Sequence, residues 1–199
     1  MSTGLLGALA GLLALFLLLL WQVQTGGTLV TFDGAVNARL SRLRSRSTLA
    51  AGAWISQIGT GAAGAVLCLV ASGLFWSDGR IRMIGPIWLT FIGAQATTWS
   101  LKFITARVRP DFLEGITAGS PSFPSAHATV SVAVYTFLAL AMVAGGADGA
   151  TIVVSIAAVI VLGICFSRLL LSLHYLTDVV AGAAVGLFWV LLGWWLTLA

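Results

Sequence analysis

The sequence predicts an all-α membrane protein, a polytopic bundle of six transmembrane helices plus a short interfacial amphipathic helix. Composition is the first reason. Of 199 residues, 59% are hydrophobic and 8% are charged, with a mean hydropathy of +1.05, whereas a water-soluble domain carries about 25% charged residues. The second reason is that the charges come in clumps. No Asp, Glu, Lys or Arg occurs in residues 1–32, 47–77, 83–101, 115–147, 149–167 or 179–199. Each gap is roughly long enough for one helix, rising about 1.5 Å per residue, to cross a hydrocarbon core about 30 Å thick. A soluble fold would have to hide all of these stretches at once.

The helices are expected at about residues 4–22, 51–75, 83–105, 125–146, 151–171 and 175–198. The first, Gly4 to Trp21, lacks the basic leader and small-residue cleavage site of a secretory signal, so it reads as a retained transmembrane helix. Between the first two helices lies Thr31–Ser47, with Asp33 as a candidate N-cap. Phe32, Val36, Leu40 and Leu43 recur there near helical spacing against Arg39, Arg42, Arg44 and Arg46. That pattern fits an interfacial helix whose arginines face headgroups or water, and it fits a basic loop equally well. Trp21, Trp54, Trp76, Trp194 and Trp195 fall near helix ends, where indoles favour the membrane interface. Gly59, Gly61 and Gly64 in the second helix and Gly182 and Gly186 in the sixth would let backbones approach closely. Cys68 and Cys165 sit in apolar stretches as packing residues. The net charge of +4 is not arranged as a nucleic-acid surface. Residues 1–199 read as one domain without internal repeats.

The few polar residues left in this apolar chain hold most of the information. His127 follows Ser122-Phe123-Pro124-Ser125-Ala126 at the start of the fourth helix. His174 lies six residues after Arg168 and four before Asp178. Lys102 and Arg109 close the third helix, with Pro110 next. With six crossings, the loops after helices one, three and five share one face of the membrane. Lys102, Arg109, Ser125, His127, Arg168, His174 and Asp178 therefore all fall on one side, near one depth.

Their chemistry is complementary. Lys102, Arg109 and Arg168 offer positive charge and many donors, which suits a phosphoryl group. The N–H groups of Ser125 and Ala126 would point out of a helix N-terminus, where anions are favoured. His174 and Asp178, four apart, share a helix face. Asp178 can then accept from one ring nitrogen and leave the other as a nucleophile, while His127 is placed to protonate a departing oxygen. Arg107 is expected to snorkel to the headgroups. Asp111 and Glu114 lack a third ligand at metal spacing, so a loop role is expected for them, with no metal and no cofactor.

Lys102-x6-Arg109-Pro110, then Pro124-Ser125-Ala126-His127, then Ser167-Arg168-x5-His174-x3-Asp178 resemble the three signature motifs of the type 2 phosphatidic acid phosphatase superfamily. The resemblance covers roughly residues 85–185, and the first two helices fit its membrane branch. One departure is Ala126, where the family usually has Gly; only a backbone N–H is asked of that position. The resemblance implies His174 as nucleophile, Asp178 as its orienting partner, and His127 as acid and then base. Lys102, Arg109, Ser125, Ala126 and Arg168 would form the phosphate cradle.

The resemblance thus implies a metal-independent hydrolase in the cell membrane, acting on lipid phosphates through a phosphohistidine. Candidate substrates are prenyl diphosphates such as undecaprenyl diphosphate, phosphatidylglycerophosphate and phosphatidic acid. A phosphotransferase would use the same intermediate. A transporter would instead place charges in mid-helix, where this chain has none. The expected partners are the phosphorylated lipid and the bilayer, with no nucleic acid. The resemblance puts the site on the extracytoplasmic face. Counting arginines favours the opposite, with Arg39, Arg42, Arg44 and Arg46 on the site's face against Arg80 and Arg82 on the other.

Overall fold

The structure, a computed structural model, describes residues 2–110, 119–146 and 148–198. Asp111 and Glu114 lie outside the described residues. The helices are α1 (Thr3–Thr25), α2 (Thr28–Ser41), α3 (Arg46–Gln57), α4 (Gly61–Ser77), α5 (Ile84–Thr105), α6 (Ala126–Ala144), α7 (Ala150–Leu170) and α8 (Leu176–Leu198), with a short 3₁₀ turn at Ile81–Met83. The described residues hold no strand, so the expected all-α class stands.

Four helices, α1, α6, α7 and α8, are each long and apolar enough to cross a membrane. The pair α3–α4 makes a fifth candidate, bent by 43°. Their outer faces leave large apolar side chains uncovered, Leu69 and Leu162 among them at 61% and 68% exposure, as a lipid-facing surface should. Helix α5 falls short of the hydropathy of the others, and polar residues interrupt its inward face. Thr90, Thr98 and Lys102 are buried along it, and Thr98 donates to Thr129 of α6 at 3.1 Å.

Three expectations need correction. The helix expected over 51–75 is two helices with a break at Ile58–Thr60. Thr60 caps α4 by accepting from the Ala63 N–H at 3.2 Å, and the Tyr135 hydroxyl donates to the freed Ile58 carbonyl at 2.9 Å. A broken backbone is tolerated at membrane depth when protein groups satisfy it in this way. Second, Asp33 is not an N-cap. Helix α2 starts from Gly27, which leaves Asp33 inside the helix and fully buried. Third, Trp194 belongs to the core: its ring meets Phe137 edge-on with centroids 5.8 Å apart. Trp21, Trp54 and Trp76 are exposed, as an interfacial belt requires.

The crossing of α6 and α8 frames the site. A Cβ on Gly182 would lie 2.5 Å from the Ser125 carbonyl oxygen, and one on Gly186 would lie 2.7 Å from that of Thr129. Four residues apart on one face, these glycines let α8 lie directly on the α6 backbone.

Candidate active site

Helix α5 ends where Ala106 turns left-handed, at φ 47°, and donates its N–H to the Lys102 carbonyl. The chain after it is laced to the segment leading into α6. Ser122 N–H donates to Arg107 O at 2.8 Å, and Ser122 Oγ donates to Val108 O at 3.2 Å. Lys102, 1% exposed, reaches up from the last turn of α5, and its Nζ donates to Pro121 O.

Arg109 crosses from this loop to the connection between α7 and α8. Its Nε donates to Ser120 O at 2.9 Å and one terminal nitrogen donates to Leu173 O at 2.6 Å. The same terminal nitrogen lies 3.2 Å from His174 Nε2. Guanidinium has no acceptor, so Nε2 carries the lone pair and Nδ1 the proton. That Nδ1 lies 3.4 Å from Asp178 Oδ2, an ion-pair distance rather than a well-formed hydrogen bond. The same Oδ2 accepts the Tyr175 N–H at 2.9 Å, so the turn that presents His174 also holds its partner. Burial is the main force pushing His174 down to about 4, against the pull of Asp178. The ring is thus neutral at ordinary pH, the form that can attack an electrophile.

Arg168 closes α7 and donates to Ser56 Oγ of α3. Its Nε is buried with no hydrogen-bond partner among the described residues, a cost that a bound anion would remove. His127, in the first turn of α6, lies near His174 and is close enough to Arg168, Arg109 and Lys102 to feel their charge. Its ring also faces the α3–α4 break: a Cβ on Gly59 would lie 3.6 Å from His127 Cδ2. Ser125 departs from expectation. Its Oγ caps α6 through Ala128 N–H at 3.5 Å, but its own N–H donates to Asp178 O at 2.9 Å and is spent. The N–H groups of Ala126 and His127, in the first turn, are the ones left for an anion.

Sequence reasoning missed several residues. Arg107 does not snorkel: it bridges Asp33 at 2.9 Å and Asp178 at 2.5 Å, with its guanidinium 4.2 Å above the Tyr175 ring. Asp33 is the only acidic residue before Asp78, and a solitary acid in so apolar a stretch signals a buried partner. Arg44 is half-buried. It donates to Leu170 O at 2.8 Å and to Asn37 Oδ1 at 2.6 Å, capping α7. Ser172 donates to the same Asn37 oxygen at 3.0 Å. Arg39, Arg42 and Arg46 stay exposed.

Lys102, Arg109 and Arg168 thus gather with His127 and His174 at one end of an apolar helical bundle, the arrangement of an integral-membrane protein with an anion-binding site. Comparisons with known proteins narrow the class. The profile described as the PAP2 superfamily matches residues 83–199, more than half of the chain with all three motifs inside, and the chain belongs to that superfamily. It is 31% identical over 126 residues to phosphatidylglycerophosphatase B of Bacillus subtilis (strain 168), a match covering 61% of each protein. The chain thus spans about three fifths of the length of that curated relative. It also superposes with a TM-score of 0.85 on the crystal structure of a transmembrane PAP2 type phosphatidylglycerolphosphate phosphatase from Bacillus subtilis, at 26% identity and covering 93% of both chains.

Proposed function

We propose that this protein is a metal-independent lipid phosphatase that works through a phosphohistidine on His174. The observation that supports it best is the pairing at His174, with the Nε2 lone pair beside Arg109 and Nδ1–H beside Asp178. Substrate enters with its phosphoryl group among Lys102, Arg109 and Arg168, which neutralise its charge in place of a metal ion. Nε2 attacks phosphorus, forming the N–P bond as the bond to the lipid oxygen breaks. His127 gives that oxygen a proton. Water, deprotonated by the same His127, then attacks phosphorus, breaks the N–P bond and releases phosphate. Ser125 holds the turn from which Ala126 and His127 present their N–H groups.

The substrate class is a phosphomonoester or diphosphate on a lipid, with phosphatidylglycerophosphate, phosphatidic acid and prenyl diphosphates such as undecaprenyl diphosphate as candidates. Helix length supports six crossings, namely α1, the bent α3–α4 pair, α5, α6, α7 and α8. At about 33 Å, α5 has the needed reach, and its polar side chains turn to α6 and α8. Both termini then lie on the cytoplasmic side of the cell membrane and the site on the outer face, as the motifs' resemblance implies. Residues 1–199 act as one domain.

The test is phosphate release from a panel of lipid phosphates in detergent, with and without an acceptor lipid, beside a His174→Ala control. Turnover by a folded His174→Ala protein would sink the mechanism, since loss of a covalent nucleophile should exceed the ~10²–10⁴-fold effect of a general acid. Phosphate passing to the acceptor instead of appearing free would make the enzyme a phosphotransferase.

A further inference from the structure

The mechanism leaves Asp33 and Arg107 without a task, although both are built into the back of the site. Asp33 comes from α2, whose Asp33, Val36, Asn37 and Leu40 border the same small void as His174, Tyr175 and Leu176. Asp33 is 0% exposed. Its Oδ1 accepts the Thr177 N–H at 2.9 Å, and its Oδ2 accepts the Thr177 hydroxyl at 2.5 Å. The same Oδ2 accepts one terminal nitrogen of Arg107 at 2.9 Å, and the other terminal nitrogen donates to Thr177 Oγ1 at 2.8 Å and Asp178 Oδ1 at 2.5 Å. One guanidinium is therefore shared between two buried carboxylates.

The charge count gives this arrangement its meaning. Arg107 paired with Asp178 alone would cancel most of the negative charge that Asp178 offers to His174 Nδ1–H. Attack by Nε2 makes the ring positive, and an aspartate already neutralised would stabilise that charge poorly. Asp33 offsets the guanidinium and leaves the group of three with a net negative charge. In a buried site, where charges at these distances interact far more strongly than in water, this difference matters. We propose that Arg107 and Asp33 are positioning residues for the nucleophile. Arg107 fixes the Asp178 carboxylate, and Asp33 holds Arg107 while cancelling its charge, so that Asp178 keeps its pull on His174. The inference rests on the reading of His174 and Asp178 as nucleophile and partner.

Charge rescue tests it. Asp33→Asn should lower kcat by about 10–100-fold, the usual effect of a group that supports a catalytic ligand from behind. KM should hardly move, because Lys102, Arg109 and Arg168 are untouched, whereas vanadate bonded to His174 Nε2 should weaken in step with kcat. Adding Arg107→Gln removes the unbalanced cation, and the double variant should recover about tenfold in kcat over Asp33→Asn. A merely structural clamp predicts the reverse, a double variant no better than the single one, and that result overturns the proposal. So does a loss that falls in KM. If Asp33→Asn does not fold, Arg107→Lys serves, since one ammonium keeps the charge but cannot span both carboxylates. Its kcat should fall at constant KM, and an unchanged kcat overturns the proposal. His174→Ala run alongside separates the two readings: turnover there rejects the nucleophile itself, whereas a dead His174→Ala beside a fully active Asp33→Asn rejects only the role of Asp33.

Discussion

The Ser125 N–H donates to the Asp178 carbonyl at 2.9 Å, which ties the first turn of α6 to the first turn of α8. His127 lies two residues beyond one end of this bond, and His174 four residues before the other. The two histidines, one in the first turn of α6 and one in the connection before α8, thus share a backbone anchor. The anchor depends on how closely α6 and α8 cross, and the crossing depends on Gly182.

Gly182→Ala should therefore destabilise the protein and lower its activity together. The added Cβ would lie 2.5 Å from the Ser125 carbonyl oxygen, a backbone atom that cannot rotate away. Overpacking of this kind costs about 1–3 kcal/mol. Gly73→Ala, at a helix position with nothing within 4 Å, is the matched control and should change neither property. Thermal unfolding in detergent with parallel turnover assays measures both, and equal behaviour of the two variants would refute the close-crossing account.

Vanadate should inhibit the enzyme, and EDTA should leave it active. Arg168 Nε is a buried donor without a partner, and Arg109 already sits against the attacking nitrogen, so a five-coordinate vanadate on His174 Nε2 would resemble the in-line transition state. Activity lost in chelator and restored by magnesium would show that charge stabilisation has been misassigned.

His174 should remain neutral well below the usual histidine range. Its folded value, lowered mainly by burial to about 4 from an ordinary 6.5, means that the nucleophile stays available as pH falls through 6. Over the same interval the unfolded chain takes up a proton that the folded one refuses. The contribution to stability is therefore whole above 6.5 and is lost as pH falls towards 4. The chain has only two histidines, so nitrogen-15 NMR of a His127→Gln variant reports His174 alone. A titration centred near 6.5 would contradict the burial seen here.

What could be read in advance divides by the distance over which each feature is encoded. His174 and Asp178 pair four residues apart, one just before α8 and one in its first turn, and Pro110 and Pro124 bracket the loop, so spacing alone places them. Arg107 and Asp33 are 74 positions apart. A sequence shows the charge of each but not that the fold joins them, and a lone arginine near a helix end then reads as a snorkelling one. The break at Ile58–Thr60 is hidden for another reason. Gly59, Thr60 and Gly61 interrupt the helix without interrupting the apolar stretch, and hydropathy does not register a backbone turn. In α5 the opposite happens: buried Thr90 and Thr98 lower the hydropathy of a helix that packs against α4, α6 and α8.

The last prediction separates the two histidines by the chemistry of the leaving group. His127 lies at the N-terminus of α6 near His174 and within reach of the charge of Arg168, and its ring faces the α3–α4 break at Gly59. If it protonates the departing oxygen, its loss should weigh most on a phosphomonoester of an alkyl alcohol, whose alkoxide is a poor leaving group. With p-nitrophenyl phosphate, which departs readily without a proton, the phosphorylation step of His127→Ala should be impaired far less. The alkyl ester should lose about 10²–10⁴-fold, the range for a general acid. Breakdown of the phosphohistidine also needs His127 as the base for water, so the variant should accumulate the covalent intermediate from the activated ester. His174→Ala cannot form that intermediate from either substrate. Single-turnover phosphoryl transfer, quenched gently enough to preserve the acid-labile N–P bond, distinguishes the cases. Equal losses for both leaving groups would make His127 a phosphate-binding or structural residue and leave the departing oxygen to take its proton from elsewhere.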